Sequence, residues 1–106
     1  QGQYIPTVIA NALRGKEFNR FSELQTAIWS EVAKHPVLLN QFNTVNRLQI
    51  MDGNAPHCLE IYWVGKRGRY EIHHVDEIQH GGSVYDIDNL RINTVKNHVR
   101  IHSNEK

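Results

Sequence analysis

The sequence predicts an α+β fold in which helices come first and a strand–loop–strand–helix unit closes the chain. Three observations carry this expectation. Apolar residues recur at helical spacing through residues 6–52. The stretch "CLEIYWVGKRGRYEIHHV", residues 58–75, then turns to β-branched and aromatic residues interrupted by Gly65 and Gly68. Five of the seven histidines gather within residues 70–102, where His98 and His102 are one helical turn apart.

Pro6 suits a first helical turn, and "PTVIANALRG" stops at Gly15, a fitting C-terminal cap. Ser22 is followed three residues later by Gln25, the capping-box pattern. Phe21, Leu24, Ile28 and Val32 continue at helical spacing until Pro36 ends the run. One or two short helices are expected within 36–52. Either Val45, Leu48 and Met51 or Leu38 and Phe42 would face inward, and Gly53 would close the segment. These stripes read as core and not as a cofactor box. A strand is expected over 69–74, and "GGSVYDIDN" reads as a loop turning at Gly81–Gly82. A second strand spans Leu90 to Asn93, and Thr94 caps a last helix over about 95–103.

A chain of 106 residues is expected to form one domain with a real core. Its 40% hydrophobic and 22% charged content is that of a globular protein. No apolar run reaches the ~20 residues that span a bilayer. Cys58 is the only cysteine, so no internal disulfide forms. It reads as a small buried or interface thiol, since nothing orients neighbouring His57 towards it. The net charge of +1 points to no partner, and any nucleic-acid contact must come from local charge placement.

Imidazoles four residues apart on a helix can hold one metal ion. The zincin pattern is excluded, because Val99 stands where that motif needs a glutamate. If the strand at 69–74 pairs with 90–93, the following helix can fold back and bring His98 and His102 to His73 or His74. Three neutral nitrogens suit zinc or nickel better than magnesium, and three ligands leave a position open. Adjacent strand side chains point to opposite faces, so one histidine of the pair is left for other work, or merely packs. His35 and His80 read as surface residues.

"YEIHHVDEIQHGGSVYDIDNLRINTVKNHVRIH", residues 70–102, resembles the C-terminal end of the HNH nuclease domain of the colicin DNases and S-type pyocins. The likeness extends upstream through "IANALRGKEF", "IWSEVAKHP" and "APHCLEIYWVGKRGRYE". It implies helices packed on a C-terminal ββα-metal (His-Me finger) motif, with the HNH letters on His74, Asn89 and His98. It implies one divalent metal held by His73, His98 and His102, with zinc or nickel favoured and magnesium possible in catalysis. His74 would be the general base, and Asn89 would tie down the loop that presents it. Arg67 would contact the phosphate region and Glu71 would position the site. The bland readings are a solvated basic turn at Arg67, a strand-surface charge at Glu71 and a turn residue at Asn89.

The resemblance also implies a double-stranded DNA substrate, a small acidic immunity protein and a monomeric toxin domain. Such a domain is held with its immunity protein, released by the producing bacterium and active in the target cytoplasm. The segment from about Asn43 to Trp63, with Leu59, Ile61, Tyr62 and Trp63, would carry the immunity surface; Ile61 and Trp63 as core residues is the alternative. Three departures stand out. Val95 occupies the place of a family proline, Val75–Asp76–Glu77 adds acidity after the paired histidines, and Gln1 starts after the family's basic segment. Two other readings remain. In one, His74 is a fourth ligand of a closed zinc site in a non-catalytic nucleic-acid-binding module. In the other, the nuclease is cargo of a contact-dependent or type VI delivery system.

Overall fold

The computed structural model describes residues 2–76 and 85–104. A short strand β1 (Gln3–Tyr4) leads into helices α1 (Thr7–Leu13), α2 (Phe21–Ala33), α3 (Pro36–Leu39) and α4 (Thr44–Met51). Strand β2 (Glu71–His74), strand β3 (Leu90–Asn93) and helix α5 (Val95–Asn104) follow. Single turns of 3₁₀ helix lie at Glu60–Tyr62 and Ile87–Asn89. The expected α+β class and the helices-then-ββα order are both observed. The expected Gly81–Gly82 turn and His80 lie outside the described residues.

The sheet is antiparallel with order β1-β3-β2. β2 pairs with β3 in the register Glu71↔Asn93, Ile72↔Ile92, His73↔Arg91, His74↔Leu90. β2 begins at Glu71 and not at 69, because the preceding residues pair elsewhere. Tyr70 N–H donates to the Pro56 carbonyl, and Cys58 N–H to that of Gly68. β1 was not expected. Two residues carry no periodicity, and they form a strand only because β3 offers them an edge. Arg91 stacks over the Tyr4 ring at 3.7 Å across that pairing.

The core lies between the helices and the sheet. Ile9 and Leu13 of α1, Leu24, Ile28 and Val32 of α2, Ile50 of α4, Ile72 of β2 and Leu90 of β3 are buried together. The expected capping box does not form. α2 starts two residues earlier, at Phe21 with Arg20 as its N-cap, so Ser22 is already inside the helix. Phe21 packs against the core there, and Glu23 Oε1 accepts the Asn19 N–H at 3.0 Å. Pro36 does not only end a helix; it opens α3 at the first helical position.

The α4 expectation is corrected more sharply. Val45, Leu48 and Met51 face outward, being 64%, 57% and 61% exposed. The inward face is Asn46, Gln49 and Ile50. Asn46 Nδ2 donates to the His57 carbonyl at 3.0 Å and its Oδ1 accepts the His57 N–H at 2.9 Å. Gln49 Oε1 accepts from Arg69 at 3.0 Å. Polar anchors to the His57 backbone and the Arg69 side chain thus set the helix rotation against its apolar stripe. The alternative pair, Leu38 and Phe42, does pack on the core. Gly53 closes α4 as expected, with φ +80°, and its missing Cβ lets the turn approach Thr26 and Ser30 of α2.

Trp63 is half-buried, its Nε1–H donating to the Cys58 carbonyl at 2.9 Å. Its ring lies on Gly68, where an added Cβ would come within 2.3 Å of the ring. Gly68→Ala is therefore expected to destabilise the domain by ~1–3 kcal/mol, as overpacking does. Chemical denaturation of the two proteins checks this, and an unchanged midpoint would count against the Trp63–Gly68 contact. Cys58 is buried, with its thiol 3.3 Å from the Gly68 carbonyl, in line with a structural thiol.

Candidate metal centre

Strand alternation sorts β2 into two faces. Ile72 and His74 point to the helical core, and Glu71 and His73 point to α5. Thr94 Oγ1 accepts the Asn97 N–H at 3.2 Å and so caps α5, as expected. Val95 is completely buried, so the valine in the proline position serves packing. The capped helix folds back on β2 and brings its i, i+4 pair to the strand histidine.

Ring nitrogens of His73, His98 and His102 all lie within 4.8 Å of one another. The His73 and His98 rings stack at 4.5 Å, and His98 Nε2 is 2.8 Å from His102 Nε2. His98 Nδ1 faces Glu71 Oε1 at 2.8 Å. A carboxylate on Nδ1 favours the imidazole proton there, which would leave Nε2 available to a metal ion. This all-nitrogen set fits a transition metal better than magnesium, which prefers oxygen. His74 stands outside the group.

Arg67 clasps Glu71 with both guanidinium edges, Nη2 to Oε1 at 2.7 Å and Nε to Oε2 at 3.2 Å. A tight turn with reciprocal Val64–Arg67 backbone bonds delivers the arginine to this place. Half-exposed, the pair adds little stability, and its value is geometric. Partial burial pushes the Glu71 carboxyl up, but Arg67 and His98 outweigh it and hold the group below the usual carboxylate range. Glu71 in turn raises the Arg67 guanidinium further. Arg67, His98 and His102 line a cleft of about 290 Å³.

The His74 ring lies 4.7 Å from that of Phe21 and 6.1 Å from that of Tyr85. It is the last residue of β2, and the chain bends at Val75–Asp76. Asn89 secures that bend. Its Oδ1 accepts the Asp76 N–H at 2.9 Å and its Nδ2 donates to the Asp76 carbonyl at 2.8 Å. The structure thus brings Arg67, Glu71, His73, His98 and His102 together. It sets His74 and Asn89 at the adjoining strand end. Leu59, Ile61 and Tyr62 are exposed, and Trp63 is packed as described. Phe21 and Asn93 were missed as neighbours of the histidine pair; each is distant from it in sequence, and no local periodicity links either to it.

A ββα unit whose strand and closing helix converge three imidazoles defines the ββα-metal nuclease class. Residues 1–104 match the family described as Colicin/Pyocin-S2, DNase domain, and the chain belongs to that family. It is 45% identical to Colicin-E8 of Escherichia coli over 101 residues, covering 95% of this chain and 49% of that protein. It is 40% identical to Pyocin-S2 of Pseudomonas aeruginosa over 106 residues, covering 100% of this chain and 15% of that protein. The chain therefore spans half or less of these relatives. The structure of the pyocin AP41 DNase–immunity complex aligns with TM-score 0.87 and 39% identity, covering 97% of this chain and 80% of that one. The nuclease domain of pyocin S8, solved with its cognate immunity protein, aligns with TM-score 0.85 and 42% identity, covering 94% and 80%. Among the described residues, no helix is long and apolar enough to cross a membrane.

Proposed function

We propose that this chain is the single cytotoxic nuclease domain of a bacteriocin, a metal-dependent and largely non-specific DNA endonuclease. The observation that carries the reading is the three-imidazole group with a fourth histidine, His74, at the adjoining strand end. His73, His98 and His102 would hold one divalent ion, with zinc or nickel favoured by the nitrogen donor set. Bound there, the ion supplies Lewis-acid stabilisation of charge growing on the phosphate and the leaving oxygen.

The protein's own groups do the rest. His74 takes a proton from water as its oxygen attacks phosphorus and the bond to the leaving oxygen breaks. An imidazole suits this task because its ordinary pKa lies near neutrality. Glu71 holds His98 by Nδ1, and Arg67, steered by Glu71, reaches the phosphate. Contacts of this kind read backbone and not base edges, which gives low sequence preference. A plasmid-nicking assay with magnesium, nickel or zinc tests the reading. Nicking suppressed by chelator is expected; a chain that binds zinc yet nicks under no metal would be a binding module.

Asn89 acts by aim. Asn89→Ala is expected to lower nicking ~10-fold or more while zinc affinity stays near wild type, as loss of an orienting contact does. Equal loss of both would place Asn89 in the metal site itself.

The partners follow from the same reading: double-stranded DNA as substrate and a small acidic immunity protein that holds the domain, as a monomer, before release. The domain would act in the target cell's cytoplasm. The exposed apolar residues Val45, Leu48 and Met51 of α4, with Leu59, Ile61 and Tyr62, form the surface we assign to that protein. Tyr62→Ala and Leu48→Ala are expected to weaken immunity binding by ~1–2 kcal/mol each without loss of nicking. Titration calorimetry against the immunity protein measures this, and unaltered affinity in both variants would move the interface elsewhere.

A further inference from the structure

We propose that Arg14, at the end of α1, is a positioning residue for the strand end that presents His74: through Asp88 it holds the turn that carries Asn89. Arg14 Nη2 donates to Asp88 Oδ1 at 2.9 Å, a bond between residues 74 apart in sequence. Its Nη1 donates to Asn11 Oδ1 at 3.0 Å, so the guanidinium is steadied on α1 as it reaches across. Exposed ion pairs usually contribute little, because two flexible side chains must be ordered to form them. Here the backbones on both sides are already fixed. Leu13, just before Arg14, and Ile87, just before Asp88, are buried in the same core. Each charged residue therefore leaves that core from a set position.

The turn itself calls for a cation. Asp86 and Asp88 bring two carboxylates into one 3₁₀ turn, and like charges so close repel. Asp86 is also what closes the turn. Its Oδ1 accepts the Asp88 N–H at 3.0 Å, and its carbonyl accepts the Asn89 N–H at 3.0 Å. Arg14 offsets the repulsion at the Asp88 carboxylate. Arg91 Nη1 donates to the Asp88 carbonyl at 2.8 Å and secures the backbone from the other side.

From this turn the restraint passes to the end of β2. The Asn89 carbonyl accepts the Val75 N–H at 2.8 Å, and the Asn89 side chain bonds both backbone groups of Asp76. Val75 and Asp76 follow His74 directly, so a turn that opens releases the bend and His74 loses its aim. Arg14 acts only through Asp88 and Asn89. The catalytic consequence rests on His74 as the general base; the mechanical link from Arg14 to the bend does not.

Amide hydrogen exchange on the full chain reads that link residue by residue, because local opening exposes only the amides it frees. Arg14→Gln, Asp88→Ala and the double variant are compared with the wild type. Each is expected to lower protection of the Val75 and Asp76 amides by ~2–5-fold, the scale of one ion pair. The double variant should be no worse than either single change, since both remove the same interaction. The Ile28 amide, in the core of α2, should keep its protection. Plasmid nicking, with whichever of magnesium, nickel and zinc supports it, should show kcat lowered by ~2–5-fold and KM unaltered. A plain charge effect on DNA has the opposite sign at Asp88: loss of the carboxylate would speed nicking, and Arg14→Gln would raise KM. That pattern overturns the proposal, as does unchanged protection at Val75 and Asp76 or an equal loss at Ile28. Lost protection with unaltered kcat overturns the catalytic role of the link. Undiminished nicking in His74→Ala sinks the base reading, while the link from Arg14 to the bend is still judged by exchange.

Discussion

Replacing His74 with alanine is expected to remove most DNA cleavage, by ~10²–10⁴-fold, while zinc affinity stays near wild type. The expectation follows from where β2 ends. His73 faces α5 and joins the nitrogen cluster, whereas His74 stands outside that cluster against Phe21 and Tyr85. Loss of its ring would remove proton transfer and leave the metal ligands untouched. The alanine also vacates space beside Phe21, so a modest drop in thermal stability should accompany it. His74→Asn retains more of the volume and separates the two effects: cleavage should remain lost while stability recovers. A closed four-histidine site predicts the opposite. In that case His74→Ala would weaken zinc binding as much as loss of any other ligand, and the wild type would cut no DNA. Parallel titration calorimetry and plasmid nicking on the same preparations decide between them.

His98→Ala is expected to abolish saturable zinc binding and cleavage together. His98 is the hub of the cluster. Its ring stacks on His73, its Nε2 faces His102 at 2.8 Å and its Nδ1 is held by Glu71 at 2.8 Å. Removing it takes away one ligand and releases the carboxylate that steers Arg67. Zinc should no longer raise the melting temperature, because stabilisation by a ligand requires binding to the folded state. Retained zinc stabilisation with lost cleavage would assign His98 to the chemistry and not to the metal.

By itself the sequence determined the parts that depend on local pattern. β3 over Leu90–Asn93, the Thr94 cap and the i, i+4 pair His98 and His102 were all legible, because strand and helix periods act over a few residues. The family was legible for the same reason, since its motif lies within one stretch, residues 70–102. Tertiary structure alone decided what depends on distant partners. β1 exists only as an edge to β3, and α4 turned its apolar stripe outward because Asn46 and Gln49 found partners at His57 and Arg69. That His73 joins His98 and His102 while His74 stands outside that group depended on the strand alternation of β2 and the position of α5. The contacts of Glu71 with His98 and of Asn93 with His73 span 27 and 20 residues. No periodicity reaches that far; such pairs form only once packing has closed the loop between them.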